Sequence, residues 1–420
     1  MKFVLLTQCY PPELGGAQVF LSSLAVELRR RGHDICVVTA LPNYPTGRVF
    51  NGYRGRFLVR ETIDEIPVIR TWVRPAQSAR LVPRLTSYLT FCLTSFAAWF
   101  WIGRPDVVFV DSPPLFLGLT ARCMSWLKRC CWILNVSDLW PDAIAELDMI
   151  RPKFLLRMAE FLERYLYASS DMICAVTHGI KQILIERKGL PEYKVSLLPI
   201  GVDTDLFRPM PADRLFALQH GLQDKVIFLL AGTLGYAQGL SVVIEAADLL
   251  RDRADIVIVL LGDGPERSRL KAESERRGLT GVKFFDGAPL REMPRWWSIT
   301  RAGLVTLKDQ PINEGARPSR TFPALASGVP VVFAGRGEMA GMLTSAGAGI
   351  VIPPEDPRAL ADAVLHFADN PIEAGRMGQR GRQLCERELC WSAIVETWLN
   401  DVTKLQRKTR RPTLRTALNR

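Results

Sequence analysis

Histidine is scarce in this chain, with 4 residues in 420, and the nine cysteines do not stand at the spacings of metal-binding motifs. The sequence therefore offers no evident zinc site. An Asp-x-Asp pair, Asp203 and Asp205, lies in a turn-rich stretch and is predicted to be structural. Cys130 and Cys131 are adjacent, a spacing that does not easily close a structural disulfide, which favours a reducing cytoplasm.

The N-terminus lacks the long apolar run of a signal peptide, since only Phe3–Leu6 precede the Pro11-Pro12 pair. We interpret this run as a first buried strand. The net charge of +11 indicates an anionic partner. Nucleic acid, a phospholipid surface and a phosphorylated substrate all remain open on charge alone.

The length exceeds what one hydrophobic core usually supports, so two domains are expected. Short apolar runs alternate with helical segments in both halves, which predicts βαβ units and parallel sheets. The predicted strands are 3–7, 34–39, 68–73, 106–110, 131–136 and 172–176, followed by 226–231, 256–261, 282–285, 302–306 and 329–333. We therefore predict an α/β protein of two doubly wound Rossmann-like domains that face each other across a cleft.

Three segments follow from this pattern. The N-terminal domain covers 1–200. The C-terminal domain covers 205–389, and a basic tail covers 404–420.

The loops that follow the second set of strands are predicted to line one rim, because ligands of such sheets bind at the carboxyl ends of the strands. Gly232, Gly235 and Gly239 allow the chain to approach a phosphate, although glycines also simply turn a chain. Arg317 and Arg320 precede a helix that must start close to Pro323, and Ser319 is its expected N-cap. Guanidinium groups there suit a diphosphate, and solvated surface charge is the alternative.

Eight short motifs together resemble the retaining GT-B glycosyltransferases of family 4, and within them the bacterial group of O-antigen fucosaminyltransferases and colanic-acid glycosyltransferases. Each motif is loose by itself, but their shared order and spacing extend over nearly the whole chain. The motifs lie at 10–16, 42–47, 138–142 and 201–209, then at 231–239, 261–267, 318–320 and 324–331.

The resemblance implies that the C-terminal domain binds a nucleotide-diphosphate sugar and the N-terminal domain binds the acceptor. It also implies that a helix at about 390–403 crosses back to complete the N-terminal domain. It places Arg320 on the diphosphate and Asp138 near the sugar, where capping of a helix is the alternative. Glu314 would reach the sugar hydroxyls. The other expected donor-binding residues are Gly15, Gly16, Gly232, Thr233, Gln238, Gly239, Gly287, Ala288, Arg317, Ser319 and Glu338. No metal or other cofactor is implied, since the leaving diphosphate itself would help to take the acceptor's proton.

One departure from the family concerns the ribose. Many members carry a glutamate five positions before the glycine of the small-residue helix, and this chain has Pro323 there. A proline side chain cannot accept a hydrogen bond from a hydroxyl. The usual ribose anchor is therefore missing, which raises the alternative of a non-catalytic nucleotide-sugar sensor or scaffold.

The uncharged stretch Leu85–Gly103 has about the length of a membrane span. Its five Ser and Thr residues favour an interfacial helix with one face open to lipid, and a true span or plain core are the alternatives. The tail 404–420 has seven basic residues and no acidic one, which would attract it to anionic lipid.

We therefore predict a cytoplasmic enzyme, peripheral at the inner face of the cell membrane. It would be a retaining hexosyl- or N-acetylhexosaminyltransferase using a nucleotide sugar, with UDP as the expected nucleotide. The acceptor would be a polyprenyl-diphosphate-linked intermediate of a surface polysaccharide such as O-antigen, capsule or exopolysaccharide. The alternatives are a sugar-nucleotide epimerase or hydrolase of the same fold, or the sensor. Nucleic-acid binding is not expected, because the basic residues cluster with tryptophans and apolar helices.

Overall fold

The computed structural model describes residues 1–13, 15–44, 47–76, 81–139 and 153–409. The chain divides into two compact units, unit 1 with Met1–Ile200 and Ile394–Arg420, and unit 2 with Gly201–Ala393. Each unit has its own sheet and its own buried apolar cluster. The prediction of two doubly wound α/β domains is confirmed.

Unit 1 is built on an eight-stranded sheet in the order β3-β4-β2-β1-β5-β6-β7-β8. Its strands are β1 (Lys2–Leu6), β2 (Asp34–Ala40), β3 (Leu58–Ile63), β4 (Ile66–Thr71), β5 (Val107–Ser112), β6 (Cys131–Val136), β7 (Met172–Ala175) and β8 (Val195–Leu197). Neighbouring strands are parallel except β3 and β4, which form a hairpin. β5 and β6 are buried along their whole length, which explains their continuous apolar sequence.

The helices of unit 1 cover the faces of this sheet. They are α1 (Gly16–Arg30), α2 (Leu81–Thr94), α3 (Leu117–Lys128), α4 (Lys153–Ser169) and α5 (His178–Glu186). A 3-10 helix, Ser95–Trp101, continues α2.

Unit 2 is built on a parallel six-stranded sheet in the order β11-β10-β9-β12-β13-β14. Its strands are β9 (Val226–Ala231), β10 (Ile256–Leu261), β11 (Val282–Phe285), β12 (Thr300–Thr306), β13 (Val331–Ala334) and β14 (Gly349–Ile352). Its helices are α6 (Arg214–Gln219), α7 (Ser241–Leu249), α8 (Arg267–Arg276), α9 (Met293–Ser298), α10 (Thr321–Ala326), α11 (Glu338–Ala346), α12 (Pro357–Asp369) and α13 (Pro371–Leu384).

The strand order of each sheet reverses at one point, between β1 and β5 in unit 1 and between β9 and β12 in unit 2. Loops that leave neighbouring strands in opposite directions open a crevice at the carboxyl edge. Open α/β sheets bind their ligands in such crevices.

Three strands were not predicted from the alternating pattern, namely β3, β8 and β14. Each of them is an edge strand. β8 has three residues and β3 carries charged side chains, as edge strands do when they avoid pairing with other chains. β3 and β8 lack the apolar run on which the prediction depended, and the run in β14, residues 350–352, is short.

The last helix, α14 (Trp391–Thr409), belongs to unit 1 from Ile394 onward. Trp398 is fully buried there, with its ring 6.0 Å from Phe3 and 5.7 Å from Phe109. Residues 404–409, predicted as the start of the basic tail, continue this helix instead. The rest of the tail, 410–420, lies outside the described residues.

The uncharged stretch Leu85–Gly103 is divided between α2 and the 3-10 helix Ser95–Trp101. In the described parts of the chain, we find no helix whose length and apolar character would let it cross a membrane.

Candidate functional site

The crevice of unit 2 is formed by loops whose backbones touch directly. Gly262, after β10, has φ +146°, and a Cβ added there would lie 2.0 Å from the carbonyl oxygen of Gly232, after β9. The Leu234 N–H donates to the Asp263 carbonyl at 2.9 Å. Only glycine permits this approach and this backbone angle, so the loops form a floor made of peptide groups.

We expect Gly262→Ala to lower the free energy of unfolding of the protein by about 3 kcal/mol or more, because the new methyl group meets backbone and the angle is strained. Thermal unfolding measures this change. Gly341→Ala is the matched control, since a Cβ there meets nothing within 4 Å. Equal unfolding temperatures for the two variants would contradict the described packing.

Arg320 lies against this floor at the switch point between β9 and β12. Its Nη2 donates to the Thr233 carbonyl at 3.2 Å, and its Cζ would be 3.6 Å from a Cβ on Gly232. Its Nη1 is buried without a hydrogen-bond partner, and no carboxylate among the described residues pairs with the side chain. Desolvation lowers the Arg320 pKa to about 10, which still leaves it charged at neutral pH. A buried cation without a counter-ion is suited to bind an anion.

Arg317, the other arginine of this stretch, is already paired. Its Nε lies 2.9 Å from Glu338 Oε1, and both side chains are more than four-fifths buried. The angle makes this contact an ion pair rather than a hydrogen bond. The charges of Arg317 and Glu338 therefore offset each other, and neither arginine is a solvated surface charge.

Polar groups of the glycine loop, residues 232–239, form hydrogen bonds within the protein. Gln238 Oε1 accepts from the Gly235 N–H at 2.9 Å, and the Gln238 carbonyl accepts from Thr306 Oγ1 at 2.7 Å. Gly239 has a left-handed backbone and packs on the Cγ of Lys308, where a Cβ would lie at 3.2 Å. Lys308 is half-buried and makes no ion pair with a described residue. Lys308 is thus a second cation near this loop.

The remaining predicted residues of unit 2 are on the same loops. Glu314 is exposed in the 3-10 helix Pro311–Gly315, and its carbonyl lies where a Cβ on Gly337 would be placed. Gly287 and Ala288 follow β11 and are exposed and half-buried, respectively. The expectation that Ser319 caps α10 is wrong, because Arg320 occupies the N-cap position and no side chain caps the helix.

In unit 1, Gly15 and Gly16 stand at the start of α1. Gly15 is in extended conformation, and no side-chain cap satisfies the first N–H groups among the described residues. Asp138 follows β6 and is exposed to solvent, although surrounding protein desolvates it enough to raise its pKa. The rest of its motif, 140–142, lies outside the described residues.

Glu13 is a buried carboxylate of unit 1 that the sequence did not single out. It accepts backbone N–H groups of Asn43 and Tyr44 at 2.8 Å each and of Tyr10 at 3.2 Å. Burial raises the Glu13 pKa while these three donors oppose the rise. Through these hydrogen bonds, Glu13 connects the loop after β1 to the loop after β2. In the sequence, its position after two prolines could have indicated such a structural role.

Three packed elements of unit 1 expose large apolar side chains. Thr120 of α3 donates to the Cys92 carbonyl of α2 at 3.0 Å, and Lys128 Nζ donates to the Ile102 carbonyl after the 3-10 helix at 3.1 Å. Gly118 of α3 lies against Leu166 of α4. The exposed residues, here called the apolar surface, are Leu89, Leu93, Phe100, Trp101, Leu119, Trp126, Leu127, Phe154, Leu155, Met158, Phe161 and Tyr165.

The charge around the apolar surface is mainly positive. The stretches Leu81–Trp101 and Leu117–Lys128 contain no acidic residue. Arg104, Arg129 and Arg157 are exposed beside them. An exposed aromatic and aliphatic surface with a basic border is typical of contact with anionic lipid.

Within the described ranges, no group of three or more His, Cys, Asp or Glu residues could hold a metal ion. Asp203 of the Asp-x-Asp pair accepts the N–H groups of Asp205 and Leu206 at 3.0 and 2.9 Å. Its carboxylate therefore stabilises a turn.

Comparison with known proteins identifies both units. Residues 15–201 match the family model described as a glycosyl transferase 4-like domain. Residues 216–384 match the model described as glycosyl transferases group 1. The two matches together cover most of the chain.

Curated relatives share this organisation at low identity. The chain is 26% identical to the putative colanic acid biosynthesis glycosyl transferase WcaI of Escherichia coli K12, over 96% of this chain and 100% of the relative. It is 23% identical to the O-antigen chain mannosyltransferase C of Escherichia coli, over 61% of this chain and 67% of the relative.

Among solved structures, the Anabaena protein Alr3699/HepE in complex with UDP superimposes with a TM-score of 0.71. It is 16% identical and covers 96% of this chain and 100% of its own. This likeness establishes the GT-B fold.

Proposed function

Since the chain is a GT-B glycosyltransferase, with a glycosyl transferase 4-like domain followed by a group 1 domain, we propose that it transfers a sugar from a nucleotide-diphosphate sugar to a lipid-linked acceptor. The acceptor is a polyprenyl-diphosphate-linked intermediate of surface polysaccharide synthesis. The relatives named for colanic acid and O-antigen synthesis support this assignment. We further propose that the enzyme groups with the fucosaminyltransferases and that the sugar it transfers is a hexose or an N-acetylhexosamine.

The proposal depends mainly on the environment of Arg320. Its guanidinium is a charged group on the peptide floor of unit 2, with a buried N–H that lacks a partner, and no carboxylate in the described part of the chain is paired to it. A diphosphate oxygen would satisfy that N–H and offset the charge. We expect UDP as the nucleotide, which agrees with the UDP bound in the Anabaena structure.

The chemistry follows from where charge develops. As the bond between sugar and diphosphate breaks, negative charge grows on the leaving group, and Arg320 stabilises it with a charge that is already in place. Asp138 and Glu314 would orient the sugar hydroxyls, since both carboxylates reach solvent. Retention of configuration requires the acceptor on the same face, where a diphosphate oxygen takes its proton. No step in this scheme requires a metal.

Few of the described side chains could bind the ribose of the donor. Pro323 is the third residue of α10 and offers no acceptor, while Glu338 is held by Arg317. Glu314 is the remaining exposed carboxylate of this stretch. A sensor that binds donor without consuming it is the alternative that this loss favours.

The apolar surface supports an acceptor that resides in a membrane. Unit 1, the unit to which the acceptor is assigned, carries the surface on α2, α3 and α4. A peripheral enzyme with this surface in the lipid headgroup region meets its acceptor without a membrane-spanning helix. We propose the cytoplasmic face of the cell membrane as its location.

Transfer is tested with the purified chain, a panel of UDP-, GDP- and dTDP-sugars and polyprenyl-diphosphate acceptors in vesicles. We expect one donor to be consumed only with acceptor present, giving a longer lipid-linked product with retained configuration. Donor binding without consumption would favour the sensor. Consumption of donor without acceptor would favour the epimerase or hydrolase.

A further inference from the structure

A buried carboxylate at the carboxyl edge of the sheet in unit 1 takes no part in the chemistry above. Asp111 is the fifth residue of β5, one of the two strands at the switch point, and is 3% exposed. Its Oδ1 accepts two hydrogen bonds of 2.8 Å, from Asn135 Nδ2 and from Ser137 Oγ. Asn135 is its register partner on β6, and Ser137 begins the turn that follows β6.

This network fixes the turn from two sides. Ser137 Oγ donates to Asp111 and also accepts from Asn135 Nδ2 at 2.9 Å. The next residue along the chain is Asp138, whose side chain reaches solvent. The position of Asp138 therefore depends on a contact between β5 and the turn after β6, across 26 residues of sequence.

We propose that Asp111 is a positioning residue for sugar transfer, which holds the Ser137–Asp138 turn so that the Asp138 carboxylate meets the transferred sugar. The inference rests on the proposed function, because it gives Asp138 a sugar to contact. Asp111 itself touches no substrate, since it is buried beneath the turn.

The effect of the Asp111 carboxylate on stability indicates that it serves a function rather than the stability of the fold. Burial raises the Asp111 pKa to about 6, the hydrogen bonds from Asn135 and Ser137 oppose the rise, and the charge of Asp138 adds to it. The Cys9 thiol, on the loop after β1, feels the Asp111 charge in turn. Because the folded-state pKa lies above the ordinary 3.8, folding binds the proton more tightly, and stability falls as pH rises from about 4 to about 6. At neutral pH the ionised group lowers the stability of the fold.

Asp111→Asn separates a positioning role from a structural one. Asn135 Oδ1 has no partner and can turn toward the new N–H donor, so the variant should fold. We expect its unfolding temperature at pH 7 to rise by a few degrees and its kcat to fall about 10-fold, the difference between a charge-assisted and a neutral hydrogen bond. Ser137→Ala should lower kcat equally, and the double variant no further than either. The affinity for donor, measured by calorimetry, should not change.

Asp171→Asn is the matched control, because Asp171 is a carboxylate with a raised pKa just before β7, at the opposite edge of the same sheet. Its kcat should equal that of the wild type. An unchanged kcat in Asp111→Asn would overturn the positioning role. A fall in kcat accompanied by a fall in the unfolding temperature would overturn it as well. Neither outcome would contradict the proposed function. A wild type that transfers no sugar overturns the proposed function as well.

Discussion

Replacing Arg320 with methionine should lower kcat/KM for sugar transfer by about 100- to 1,000-fold. Loss of one preorganised donor to a developing negative charge has an effect of this size, and here the donor is also charged. The measurement is steady-state transfer with the donor identified in the panel. Because the guanidinium is half-buried and has no counter-ion among the described residues, its removal should leave the unfolding temperature unchanged or raise it. Activity would thus fall, whereas stability would not.

Arg295→Met is the control for this experiment. Arg295 belongs to the same unit, but its side chain is 42% exposed and its Nε is paired to Asp213 at 2.9 Å. We expect activity within about 2-fold of the wild type, as for most surface substitutions. If Arg320→Met retains full activity, the diphosphate does not bind at Arg320.

Replacing Phe100 and Phe161 together with glutamate should weaken binding to vesicles of phosphatidylglycerol and phosphatidylcholine by about 100-fold or more. These rings are 89% and 68% exposed on two neighbouring elements of the apolar surface. Each buried phenylalanine contributes about 1.5–3 kcal/mol, and every 1.4 kcal/mol is tenfold in affinity. Sedimentation with vesicles gives the affinity directly, and wild-type binding should weaken as salt increases.

The control for membrane binding is Leu215→Glu in unit 2, where the side chain is 71% exposed but stands outside the apolar surface. It should bind vesicles as the wild type does. Transfer to a short, water-soluble acceptor analogue should be unaffected in the double variant, since the chemistry lies elsewhere. Unchanged vesicle binding in the double variant would show that this surface does not meet the membrane.

The sequence was sufficient to predict what depends on local patterns. Buried parallel strands have continuous apolar runs, so most strands were predicted within a few residues. The start of α10 beside Arg320 was predicted because Pro323 cannot lie deep in a helix. The edge strands β3, β8 and β14 have no apolar run, or only a short one, and were missed.

Long-range pairing could not be predicted in the same way. Whether Arg317 is available to a ligand depends on Glu338, which is 21 residues away and reaches it only because Gly337 lets the chain pass close to Glu314. The partners of Asp111, and two of the three partners of Glu13, are likewise 24 to 31 residues distant. Their sequence neighbours gave no sign of these contacts, because the fold alone brings them together.

The place of α14 has a consequence for synthesis of the chain. Trp398 fills the core of unit 1 between Phe3 and Phe109, and Ser196 Oγ donates to Asp401 at 2.8 Å. A growing chain that has already exposed all of Met1–Ile200 must wait for about 200 further residues before this core can close, or roughly 10 to 40 s at usual rates of translation. During that interval the N-terminal half keeps an apolar groove open while unit 2 can complete its own sheet. The half of the chain that is synthesised first therefore closes its core last.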